Sequence, residues 1–196
     1  MTGLPLRMLL EQSFTAPRQV ARRLLDLAPP AEARWIGLAL VAVATGILTQ
    51  IVVLLFPADE PISPLAAYLS SPVTGVPAQA VVLLAVAAGL AFGARPFGGR
   101  GRFGDALLLV VWIEALLLLV QLAQILVLIV APSLALAAAG LGLALFFWLL
   151  VNAAAELHGF HHLGKVAAGT LLVMVMSVVG LSFLLVLLGF VPPSEF

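Results

Sequence analysis

Five apolar stretches fill the chain between Trp35 and Leu188, and every basic residue falls in the connections on alternate sides of them, an arrangement that leaves few folds open. The stretches are Trp35–Phe56, Ala78–Ala94, Ala106–Ala131, Leu134–Ala155 and Val166–Leu188. Each is close to the roughly 20 residues a helix needs to cross about 30 Å of hydrocarbon, and only the second is short, at about 17. The expected fold is an all-α integral membrane protein, a bundle of five transmembrane helices.

The charges orient that bundle. Arg7, Arg18, Arg22, Arg23 and Arg34 precede the first span; Arg95, Arg100 and Arg102 join the second to the third; Lys165 joins the fourth to the fifth beside three histidines. The other connections carry Asp59 and Glu60, nothing charged at Pro132–Ser133, and Glu195 in the tail. The positive-inside rule therefore places the N-terminus in the cytoplasm and the C-terminus outside. The organisation expected is a cytoplasmic segment over 1–34, a membrane domain over 35–188 and an exterior tail over 189–196.

Composition agrees: 63% of residues are hydrophobic and 9% charged, with a mean hydropathy of +1.22. No water-soluble fold carries such values on its surface. The bases lie in a thin layer rather than a groove, which argues against a nucleic-acid partner. The absence of cysteine excludes disulfides, thiolate metal sites and a cysteine nucleophile.

The run around Leu9 and Leu10 is interrupted by Arg7, Glu11 and Gln12, so no cleaved signal peptide is expected. Over about 15–28 the pattern is that of a short amphipathic helix. Thr15 can cap it, Pro17 suits its first turn, and Val20, Leu24 and Leu27 share one face while Arg18, Arg22 and Asp26 point away. Such a helix lies in the inner-leaflet interface, with Arg18, Arg22 and Arg23 near anionic headgroups, or docks a cytosolic partner. Outside, the proline-rich 57–77 segment reads as a constrained loop, with helical turns near Ser63–Leu69 that place Tyr68 at headgroup level.

Small residues mark packing faces: Ala85, Gly89 and Gly93 on the second span, Gly140 and Ala144 on the fourth, and Thr45, Gly46 and Thr49 on the first. They serve packing within one subunit or between two copies.

Polar residues within the spans are the candidate site. Glu114 lies about 13 Å into the third span, where an ionised carboxylate costs about 2.5 kcal/mol or more, so it must be protonated, paired or facing water. Gln121 and Gln124 continue its face, Gln50 on the first span reaches a comparable outer depth, and Asn152 and Glu156 sit near Glu114 in depth on the fourth. Read functionally, Glu114, Asn152 and Gln121 line a proton or solute path. Read structurally, these residues form an interhelical polar network, each bond worth around 0.6 kcal/mol. The absence of a second facing charge, of a broken span and of an inverted repeat weighs against transport.

His158, His161 and His162 would share one side of a continuous helix and offer a metal site with Glu156 nearby. Gly159 and Gly164 instead end the helix there and leave His161 and His162 as loop residues at the interface. No nucleophile with a base, phosphate loop or catalytic carboxylate pair appears, so neither enzymatic chemistry nor a cofactor is expected.

Pro17-Arg18 in a basic N-terminal stretch, Trp35 opening the first span, the Gly98-Gly99-Arg100-Gly101-Arg102-Phe103 run before the third, the tight turn between the third and fourth, and the five spans together resemble the Yip-one family. These are Ypt- and Rab-interacting membrane proteins and their bacterial relatives. The resemblance covers about Thr15 to Leu188 and implies a five-helix domain with a cytoplasmic N-terminus and an exterior C-terminus. The Asp-Leu-Tyr-Gly-Pro and Gly-Tyr motifs of the eukaryotic members are missing, the only tyrosine being Tyr68, so Rab binding does not carry over. The Ala-, Leu- and Arg-rich wording looks bacterial and implies the inner membrane. The expected function is non-enzymatic, through association with lipids or with a membrane-protein partner or second copy, in membrane organisation, trafficking or assembly. Arg95, Arg100 and Arg102 are further candidates to meet headgroups or an acidic partner. The alternatives are a small transporter or channel using Glu114 and a metal-binding protein using the histidines.

Overall fold

The computed structural model describes residues 6–57 and 71–187. The expectations for Asp59, Glu60, the turns over 63–69 with Tyr68, and the tail with Glu195 lie outside the described residues. Two short helices, α1 (Leu6–Thr15) and α2 (Pro17–Leu27), precede five long ones: α3 (Ala31–Leu55), α4 (Pro72–Phe92), α5 (Phe103–Val130), α6 (Ala135–His158) and α7 (Leu163–Leu187). All five are long and apolar enough to cross a membrane, and no strand occurs among the described residues.

α5 is the centre of the bundle. It packs against α3, α4 and α6, and Ala106, Leu107, Leu109, Val110, Ile113 and Leu116 on its first half are buried. α7 lies at the edge, against α6 and to a lesser extent α4. Leu54, Val73, Leu136 and Leu141 stand outward, more than 70% exposed, as residues facing lipid tails should be, since lipid is as apolar as they are.

The helices run about a turn beyond the apolar limits at the end where the bases collect. α3 starts at Ala31, α5 at Phe103, and α6 continues to His158. The largest difference is α4, which begins at Pro72 rather than Ala78 and encloses Pro77. A proline at the first helical position lacks only a donor that has no partner there, so Pro72 starts the helix instead of blocking it. Pro77 then removes a single backbone bond near the helix start, which membrane helices tolerate. The second crossing is thus of ordinary length.

α1 had no counterpart in the sequence reading. Arg7 pairs with Glu11 one turn on at 2.9 Å, and Thr15 donates back to the Glu11 carbonyl at 3.3 Å, closing α1 instead of capping α2. Ala16 takes the cap position, with Pro17 following in the first turn.

Candidate functional site

The basic end is assembled from four parts of the chain. α2 lays Val20, Ala21 and Leu24 onto the bundle, mainly against α6. Burying residues such as Val20 and Leu24 away from water is worth about 1.5–3 kcal/mol each. A lipid interface offers a similar gain, so apolar burial alone does not choose between them. The polar side does. Arg22 Nε donates to Glu156 Oε1 at 2.7 Å; Arg18 Nε lies 3.4 Å from Glu156 Oε2, and Arg18 Nη2 donates to the Phe160 carbonyl at 3.1 Å. The Glu156 side chain is only 10% exposed, and its hydrogen bond and charge raise the Arg22 pKa above its ordinary value. Arg18 and Arg22 thus both pair with the protein, although the Arg22 side chain remains largely exposed, and Glu156 belongs to this clamp rather than to a network around Glu114.

α1 is tied to the same platform. Ser13 is buried and accepts a hydrogen bond from Trp112 Nε1 of α5 at 3.0 Å. Arg23 bonds Gln12, joining α2 to α1. Arg34, at the head of α3, holds the Pro29 carbonyl at 3.1 Å and Asp105 in the first turn of α5 at 3.2 Å, where a carboxylate also suits the helix dipole. Arg95 lies over the Phe92 ring, 4.4 Å from its centre. Arg100 and Arg102 are exposed.

His158 locks the loop that carries those two arginines. α6 ends in a Schellman turn: Gly159 adopts φ 72°, its N–H bonds the Glu156 carbonyl, and the Phe160 N–H bonds the Ala155 carbonyl at 2.8 Å. The turn leaves His158 buried. Its Nδ1 accepts from the Gly101 N–H at 3.0 Å, which assigns the proton to Nε2, and Nε2 donates to the Leu90 carbonyl at 2.8 Å. One neutral imidazole therefore joins α4, the glycine loop and α6. A Cβ on Gly101 would come within 2.5 Å of the His158 ring and one on Gly99 within 2.7 Å, so the loop's glycines are required by close approach. With both nitrogens used, His158 has no lone pair for a metal; His161 and His162 are exposed. No group of three or more potential metal ligands exists among the described residues.

In the membrane interior Glu114 has partners that differ from those expected. Its Oε1 accepts from Thr45 Oγ1 of α3 at 2.8 Å and from Gln79 Nε2 of α4 at 2.9 Å, joining three helices. Gln79 escaped the sequence reading because it lies two residues after Pro77, which appeared to end a loop. Beside Glu114 lies a cavity of about 110 Å³ between α4, α5 and α6. Asn152, placed with Glu114 on depth, is buried but bonds the Trp148 carbonyl of its own helix at 2.8 Å. Gln124 donates to the Ala138 carbonyl of α6 at 2.8 Å, near the opposite end of the bundle. Gln50 and Gln121 are half-buried. Glu114, Asn152, Gln124 and Glu156 therefore have separate partners.

The packing stripes divide likewise. Gly93 and Gly89 face Val173 of α7, while a Cβ on Gly140 would meet nothing within 4 Å, and Ala144 is exposed. Alongside Ala85, Gly89 and Gly93 a cavity of about 830 Å³ opens between α4, α6 and α7.

Five helices long and apolar enough to cross a membrane define a polytopic helical membrane protein. The family model of the Yip1 domain matches residues 12–188, so the chain belongs to that family. No curated protein and no solved structure gives a significant match.

Proposed function

We propose that the chain acts without catalysis, as a membrane-organising protein whose basic end lies in the cytoplasm of a bacterial cell and meets anionic headgroups or an acidic membrane-protein partner. The observation that carries this reading is the division among the arginines. Arg18, Arg22 and Arg34 are paired with Glu156 and Asp105, whereas Arg100 and Arg102 stand exposed and without an ion pair among the described residues, on a loop held still by His158. A rigid platform with two outward cations suits recognition of negative charge at the bilayer surface, each base there being worth about 1 kcal/mol. The exposed face of α6 around Gly140 and Ala144 supports association with a partner helix or a second copy.

Sidedness is tested by single cysteines in this cysteine-free chain. Positions 100 and 165 should be labelled from the cytoplasm and position 195 from the other side; labelling 100 and 195 from the same side would sink the orientation. Native co-purification with Arg100→Ala/Arg102→Ala as control should then lose the bound partner or anionic lipid. The cavity beside Glu114 favours a second reading, a small transporter. Uptake by purified protein in liposomes that is abolished by Glu114→Gln would establish it in place of the first.

A further inference from the structure

We propose that the cavity between α4, α6 and α7 is a binding site for an anionic phospholipid, with one acyl chain in the groove and the phosphate held at the mouth by Lys165, His161 and His162. The volume, about 830 Å³, falls in the roughly 300–1,000 Å³ range of sites that enclose an organic ligand. Its polarity is graded. Below the mouth the wall is almost wholly apolar, as at Val82, Phe146, Leu150 and Met174. All the ionisable residues of the lining, His158, His161, His162 and Lys165, lie at one end, and no carboxylate lines any part of it.

His158 is committed to Gly101 and Leu90. The exposed side chains of Lys165, His161 and His162 carry no hydrogen bond or ion pair among the described residues and are free to donate. The length fits as well. From Lys165 to Val178 the α7 wall rises about 20 Å at 1.5 Å per residue, about two thirds of the roughly 30 Å hydrocarbon core. The groove is thus deep enough for a chain anchored at the mouth to run through the whole of one leaflet.

A soluble phosphate would leave the apolar wall uncovered, and a neutral lipid would leave the cations unanswered. An anionic lipid satisfies both, and the membrane supplies it at high local concentration. The site extends the membrane-association reading by naming a ligand, but binding itself does not depend on sidedness.

The test is native mass spectrometry of the full chain in mild detergent, titrated with dioleoyl phosphatidylglycerol, dioleoyl phosphatidylcholine or glycerol phosphate, with thermal stability measured in parallel. Phosphatidylglycerol should be retained one per chain, phosphatidylcholine at least about fivefold less well, and glycerol phosphate not at all. Lys165→Ala with His161→Ala and His162→Ala should erase the preference for phosphatidylglycerol. Gly169→Leu should block both lipids, because Gly169 lines the cavity and a Cβ there meets nothing within 4 Å. Its lipid-free melting temperature should match the parent's, separating a filled groove from a damaged fold. Equal retention of the two lipids, retention unaffected by Gly169→Leu, or a dimer in place of the lipid adduct would each overturn the site. Labelling of position 165 from outside the cell would instead overturn the proposed orientation and leave the binding result standing.

Discussion

At the basic end of the bundle, polar contacts across long stretches of sequence fix the helices: Arg22 to Glu156, Trp112 to Ser13, and His158 to both Gly101 and Leu90. α7, a helix of 25 residues, makes no side-chain hydrogen bond among the described residues, and Val166 is its only buried residue among those described. The contrast is physical. Lipid replaces a protein neighbour for Leu or Val at little cost, whereas a buried guanidinium, imidazole or carboxylate must find a specific partner. Position is therefore encoded most firmly where the chain is polar, and the edge helix is left free to be packed by lipid.

The strongest way to break this comparison is at His158. His158→Ala removes two hydrogen bonds and a buried ring, and should cost about 2–4 kcal/mol, with faster hydrogen exchange over 98–103. A melting temperature close to the parent's would show that the loop is held by something else. Next, Glu156→Gln should cost about 1–2 kcal/mol; Arg22 is largely exposed, so its pair is worth little, but Arg18 is partly buried and loses its counter-charge. Limited proteolysis should then cut more readily within residues 6–27, and an unchanged rate would mean that apolar contact alone seats α2.

Glu114→Leu should cost on the order of 1 kcal/mol, through Thr45 and Gln79 left without an acceptor, while Glu114→Gln keeps much of the bonding and should change detergent stability little. A large loss in Glu114→Gln would move the interior site toward the functional side of the comparison. The smallest effect belongs to α7: Val175→Ala and Met176→Ala, both exposed, should stay within about 0.5 kcal/mol. A larger effect would reveal a protein neighbour on that face.

Sequence made the five crossings legible because hydropathy and helix length are local properties, and the Gly159 helix end because αL turns favour glycine. It misplaced the start of α4, since five prolines in a run look like a loop until one is seen at a first-turn position. Glu156 appeared to belong with Glu114 because both are acids at similar depth; its true partners lie 134 and 138 residues away. The double role of His158 was illegible for the same reason, depending on which helices become neighbours and not on periodicity within any of them, and Gln79 was hidden by the misplaced start of α4.

The separation between α2 and Glu156 also orders the making of the protein. At synthesis rates of ~5–20 residues per second, Arg22 emerges roughly 7–27 s before its counter-charge, 134 residues on, and Ser13 precedes Trp112 by 99 residues. Throughout that interval the face of α2 that will meet α6 has no partner there. The fourth crossing must therefore be made before the Arg22–Glu156 contact can close the assembly.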